Sequence, residues 1–214
     1  MNRCLVKICG LTSPEDAVMC HDAGADLLGM VLAPSARRVD HEQAAAIRVA
    51  VPEARLVGVF TDASVEEIKL SVEVAGLDLV QLHGCRDVQR WTAVAAACGR
   101  PVMPAVTAAE ALPLAETVRR TAEAILLDLP KRHDDLSDLR HNLWATARAC
   151  VIAGTPLYLA GALDPDNVAE ACRLVRPMGV DVCRGTEKEP GCKDSQLVWR
   201  FLAAVHSVEL HHAS

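Results

Sequence analysis

Residues 4–32 read CLVKICGLTSPEDAVMCHDAGADLLGMVL. Cys4 to Cys9 is a short run of aliphatic and β-branched residues interrupted by one lysine, the composition of a parallel strand buried on both faces. Ser13 followed by Pro14 opens a helix, because serine caps free backbone N–H groups and proline at the first helical position lacks the N–H that would go unpaired. Gly24 fits that helix's end. Asp26 to Leu32 is then a second apolar run, so strand, helix and strand follow within about 30 residues, the size of one βαβ unit.

The same alternation recurs eight times along 214 residues, roughly 27 residues per unit, which predicts a single α/β domain folded as a (β/α)8 TIM barrel over residues 1–214. The other candidate strands are Arg55 to Phe60, Leu77 to Leu82, Pro101 to Val106, Ala124 to Leu129, Pro156 to Ala160 and Gly179 to Cys183. Helix starts are predicted at Ser64 with Glu67 three residues on, at Asp164 with Pro165, and at Asp194. Gly76 and Gly99 fit helix ends. Leu197, Val198, Phe201, Leu202, Val205 and Val208 recur at the spacing of a stripe that covers the barrel's outside. Pro113 is expected to shorten or kink the fifth helix. The polar stretch Lys131 to His141 reads as a loop over the site. Glu209 to Ser214 reads as a frayed end whose His211 and His212 could hold an adventitious metal.

Composition narrows the function. Hydrophobic residues are 51% of the chain and charged residues 23%, enough to fill a sizeable core. The net charge of -6 is offset by no Lys/Arg run, so neither nucleic acid nor anionic membranes are expected partners. The longest near-apolar stretch, Leu27 to Pro34, is far shorter than the roughly 20 residues of a membrane helix. Nine cysteines without a C-x-x-C pair, and no signal-peptide pattern at the start, predict a reduced cytoplasmic compartment.

Reacting groups of parallel barrels come from the C-terminal ends of the strands. Lys7 and Cys9, Gln81 and His83, and Asp181 and Cys183 each stand two apart on one strand and so share a face. Asp128 ends the apolar run Ala124-Ile125-Leu126-Leu127. Taken singly, Asp128 also reads as a helix cap, Cys9 as a small buried hydrophobe, His83 as a satisfied strand-end histidine, and Arg37-Arg38 as a solvated loop.

Together these positions carry a resemblance. Val6-Lys7-Ile8-Cys9-Gly10-Leu11-Thr12 followed by Pro14-Glu15-Asp16-Ala17 resembles the opening signature of the phosphoribosylanthranilate isomerases, a family of tryptophan biosynthesis. Gly24-Ala25-Asp26, Pro34-Ser35-Ala36-Arg37-Arg38-Val39, Val57-Gly58-Val59-Phe60, Val80-Gln81-Leu82-His83-Gly84, Leu126-Leu127-Asp128, Asp164-Pro165-Asp166-Asn167-Val168 and Val180-Asp181-Val182 are similar to family blocks in the same order. The resemblance implies an Amadori aldose-to-ketose isomerisation of an aryl ribosylamine phosphate, with Cys9 as general base and Asp128 as general acid. That chemistry requires neither a metal nor an organic cofactor. The implied substrate-binding residues are Lys7, Arg37, Gln81, His83 and Asp181. Arg37, at the family's Ser-x-Arg position, would hold the anthranilate carboxylate, and Lys7 would help ionise Cys9 or pair with Asp181.

The sugar-phosphate half departs from the family. A glycine-rich stretch with a lysine is usual after strand six, where this chain has Lys131-Arg132-His133-Asp134-Asp135-Leu136-Ser137-Asp138. Ser-Gly-Gly and Ser-Ser-Gly, usual after strands seven and eight, are here Ala160-Gly161-Ala162 and Cys183-Arg184-Gly185. The implied phosphate-binding positions are Gly161, Ala162, Arg184 and Gly185, and Ala162 matters if that site needs positive φ. Two alternatives stand beside the isomerase, a relative acting on another carboxylated N-glycoside and a non-catalytic ligand-binding barrel. A small-molecule phosphosugar aryl amine is the expected partner, and a monomer or homodimer the expected assembly.

Overall fold

The computed structural model describes residues 3–129 and 136–208. Eight strands pair in chain order: β1 (Leu5–Cys9), β2 (Leu27–Val31), β3 (Arg55–Phe60), β4 (Leu79–His83), β5 (Val102–Val106), β6 (Ile125–Leu127), β7 (Leu157–Leu159) and β8 (Gly179–Val182). Every pairing is parallel, and β8 returns to β1 with Asp181 opposite Lys7, so the sheet closes into a barrel. Between and after the strands lie α1 (Pro14–Asp22), α2 (His41–Ala50), α3 (Val65–Ala75), α4 (Val88–Cys98), α5 (Ala108–Thr121), α6 (Leu136–Ile152), α7 (Val168–Val175) and α8 (Ser195–His206). The (β/α)8 class read from the sequence is the one observed.

Two apolar layers result from strand alternation. Residues such as Ile8, Met30, Phe60 and Leu82 face outward and are buried under the helices with Trp91 and Phe201. The opposite parity fills the barrel with Leu27, Val57, Leu79, Met103, Leu126 and Tyr158. Gly179 makes room for the Tyr158 ring, which a side chain there would strike. Two residues further along several of these strands the interior becomes polar: Leu5 gives way to Lys7 and Cys9, Leu79 to Gln81 and His83, and Leu126 to Asp128. The apolar plug is therefore the floor of a polar mouth at the strands' C-terminal ends.

Local capping matches the sequence at most helix ends. Ser13 accepts the Asp16 N–H, Ser64 and Glu67 form a reciprocal capping box, and Asp194 accepts the Gln196 and Leu197 N–H groups. Gly76 and Gly99 end α3 and α4 in the left-handed conformation. Three expectations need correction. Asp164 caps a turn rather than a helix: its Oδ1 accepts from Asp166 and Asn167, and α7 begins only at Val168. Pro113 lies exposed inside α5 without shortening it, because the helix still runs from Ala108 to Thr121. The stretch read as a loop to His141 becomes helical at Leu136 as α6 starts. Residues 131–135 and the His211/His212 tail lie outside the described residues.

The sequence reading also passed over a hairpin after β8. A 3-10 turn at Arg184–Thr186 leads into β9 (Glu187–Glu189) and β10 (Cys192–Lys193), which pair antiparallel around Pro190-Gly191. Among the described residues, no helix is long and apolar enough to cross a membrane.

Candidate active site

On β1, Lys7 is fully buried and its Nζ donates to Asp181 Oδ1 across the closing seam at 2.7 Å. Burial alone would lower the lysine pKa, but attraction to Asp181 and Cys9 more than offsets it, so Lys7 stays charged. Cys9 is buried two residues on. Its thiol pKa is raised by desolvation, opposed by the charge of Lys7. Gly29, opposite Cys9 on β2, opens the space both need: a Cβ there would lie 2.9 Å from Cys9 Sγ and 3.1 Å from Lys7 Nζ.

Arg37, in the loop after β2, is not a solvated side chain. Its Nε donates to Glu187 Oε1 at 2.8 Å and its Nη2 to Oε2 at 2.6 Å. This side-on grip uses Nε and Nη2, and among the described residues the outer Nη1/Nη2 edge of the guanidinium meets no second carboxylate, so it can fork onto one from a ligand. Gly10, with φ of 79°, lets the arginine pass, since a Cβ there would lie 2.7 Å from Arg37 Cδ.

The opposite wall carries Asp128 at the end of β6. Burial and then repulsion from Asp181 push its carboxyl up to about 6, against the Leu129 N–H, Arg184 and Lys7. Its Oδ1 accepts the Leu129 N–H at 2.7 Å. Asp128, Asp181 and Arg184 line one cavity of about 100 Å³ with Gly161, Ala162 and Gly185. Asp128 and His83 also line a neighbouring cavity of about 380 Å³ over β3 to β6, rimmed by the Arg86–Glu110 ion pair. Ala162 adopts φ of 53°, so the residue that replaces the family's glycine does sit in the left-handed region. A Cβ at Gly185 would strike the backbone at Leu163, so the loops after β7 and β8 touch along their main chains. Gln81 is buried with its Oε1 unpartnered among the described residues. Among those residues no group of three or more histidines, cysteines and carboxylates is placed to hold a metal ion.

A family model described as N-(5'-phosphoribosyl)anthranilate (PRA) isomerase matches residues 6–204. The chain belongs to that family. It is 41% identical to N-(5'-phosphoribosyl)anthranilate isomerase of Geobacter sp. strain M21 over 202 residues, covering 92% of this chain and 96% of the relative. The crystal structure of the Thermotoga maritima phosphoribosyl anthranilate isomerase superposes with a TM-score of 0.83 at 30% identity, covering 96% of this chain and 100% of that one. The structure of a phosphoribosyl anthranilate isomerase in complex with reduced 1-(o-carboxyphenylamino)-1-deoxyribulose 5-phosphate gives 0.80, again at 30% identity and with the same coverage.

In this member of the isomerase family, Lys7, Cys9, Asp128 and Asp181 converge on one mouth, and Gln81 and His83 enter it from β4. The pairing of Lys7 with Asp181, left open by the sequence, is present. Sequence reasoning did not foresee that Glu187 is held by Arg37 and Lys193. It missed Lys193 and the room-making Gly29 altogether. The available signal was the Pro190-Gly191 turn, which brings Glu187 and Lys193 together across a hairpin.

Proposed function

We propose that this chain is an N-(5'-phosphoribosyl)anthranilate isomerase in which Asp128 is the general acid and Cys9 the general base. Asp128, held protonated up to about pH 6 by burial, carries the reading, since a carboxyl beside the β7 and β8 loops is placed for a sugar ring whose phosphate those loops hold. Asp128 gives its proton to the furanose oxygen, the C1'–O bond breaks, and the nitrogen lone pair forms an iminium. Cys9 thiolate takes the C2' proton, leaving an enolamine that tautomerises to the ketone as C1' gains a proton. Lys7 favours the thiolate by its charge.

Arg37 would bind the anthranilate carboxylate by its outer edge, while Gln81, His83 and Asp181 meet the sugar hydroxyls. The amides around Gly161, Ala162 and Gly185, with the guanidinium of Arg184, would hold the phosphate. The barrel acts as a monomer or homodimer on this reading. A related Thermotoga maritima structure is of monomers of a dimeric phosphoribosylanthranilate isomerase. The deciding assay supplies anthranilate, phosphoribosyl pyrophosphate and the transferase that joins them, then follows the adduct's fluorescence. Rapid loss on adding this protein is the expected result. Persistence of the adduct, with saturable binding of the reduced product analogue, would favour the non-catalytic barrel instead.

A further inference from the structure

Lys193, on the second strand of the hairpin after β8, sends its side chain under the barrel rim, where it is fully buried. Its Nζ donates to the Cys9 carbonyl at 2.6 Å, the Cys183 carbonyl at 3.1 Å and Glu187 Oε1 at 3.1 Å. An ammonium has three N–H bonds, and all three are used. The acceptors belong to three different parts of the candidate site: the strand end that bears the thiol, the loop after β8, and the carboxylate that grips Arg37. The hairpin is itself pinned, since the Lys193 N–H donates to Asp16 Oδ2 at 2.8 Å and the Thr12 hydroxyl to the Gly191 carbonyl at 2.5 Å.

We propose that Lys193 is a positioning residue of the isomerase, fixing Cys9 to the β8 loop by direct hydrogen bonds and aiming Arg37 through Glu187. This rests on the isomerase reading above. A neutral donor could tie two carbonyls together, whereas a buried ammonium also brings charge close to the thiol, where full burial otherwise opposes ionisation. The charged and titratable groups around Cys9 are Lys7 on its own strand, Asp181 and Cys183 from the β8 side, Arg37 from the β2 loop, and Lys193. Lys7 already faces the carboxylate of Asp181, while Lys193 and Arg37 share that of Glu187, so the cations near the thiol are held by two carboxylates.

The test compares kcat, KM and the alkaline limb of the kcat/KM profile, which reports the thiol, for the wild type, Lys193→Met, Lys193→Arg and Glu187→Gln, with melting curves for each. Lys193→Met is expected to lower kcat at least tenfold and to move the alkaline limb to higher pH by about half a unit or more. Lys193→Arg should restore the limb. Glu187→Gln should move the limb the other way, because the ammonium loses its counter-charge, and should raise KM about tenfold through a loosened Arg37. If Lys193→Met does not fold, Glu187→Gln alone decides by limb and KM. Variants that lose activity only in proportion to folded protein, with limb and KM unmoved, overturn the inference and leave Lys193 a packing residue. Absence of turnover by the wild type overturns the isomerase reading and this inference with it, whereas an active wild type with unmoved variants overturns this inference alone.

Discussion

Asp128 has opposite effects on catalysis and on stability. The proposed acid and base are each a single proton carrier, so Cys9→Ser and Asp128→Asn should each lower turnover by about 10²-fold or more with circular dichroism unchanged. Wild-type activity in either variant removes that residue from the scheme. The carboxyl of Asp128 is raised to about 6 by burial, above the roughly 3.9 of an unfolded chain. Its contribution to stability is therefore fully present below about pH 3.9 and is lost as pH rises through about 6, a loss on the order of 3 kcal/mol for a shift of this size. Asparagine keeps the acceptor for the Leu129 N–H and carries no charge. Asp128→Asn should hence unfold at higher urea than wild type at pH 8 and at nearly the same urea at pH 4; equal midpoints at both pH values would contradict the burial argument. Arg184, facing Asp128 from the β8 loop, should lose about tenfold in affinity for the phosphorylated product analogue as Arg184→Ser, near 1.4 kcal/mol. Unchanged or tighter binding in calorimetry shows that it makes no ligand contact.

At the scale of elements, the strand ends matter through what their neighbours omit. β2 places Gly29 beside Cys9, and a methyl group there would meet Cys9 Sγ at 2.9 Å and the Cys9 backbone at 3.1 Å. The thiol would have to turn, and a displacement near 1 Å can cost about 10²-fold in rate. Gly29→Ala should therefore lower kcat/KM at least tenfold; an unchanged value means that Cys9 has room to move. That glycine was visible in the sequence only as part of an apolar run, because parity gives its face but not which neighbour fills the space. The hairpin of β9 and β10 was illegible for a related reason. Its strands are short and charged, Glu187–Glu189 and Cys192–Lys193, and of these residues only Lys193 is buried, so no hydrophobic alternation marks them.

For the whole molecule, β1 and β8 close the barrel over four paired rungs, one of which sets Lys7 against Asp181. Removing one partner of a buried pair leaves the other charge uncompensated at roughly 3–5 kcal/mol, whereas replacing both by apolar residues is far less costly. Lys7→Met should thus lower the urea midpoint strongly, and Lys7→Met/Asp181→Leu should recover most of it. A double variant no better than the single one would show that Asp181 is not the source of the loss. The eightfold alternation, the strand positions, most helix caps and the shared strand faces of Lys7 with Cys9, Gln81 with His83 and Asp181 with Cys183 were determined by the sequence alone, because periods of 2 and 3.6 residues and capping chemistry are local properties. Only the tertiary structure decided the Lys7–Asp181 bond, the capture of Arg37 by Glu187, the raised carboxyl of Asp128 and the ties of Lys193. Each of these depends on which charges become neighbours across a closed sheet and on how much water is removed around them, and both are set by packing between residues up to 184 positions apart in the chain.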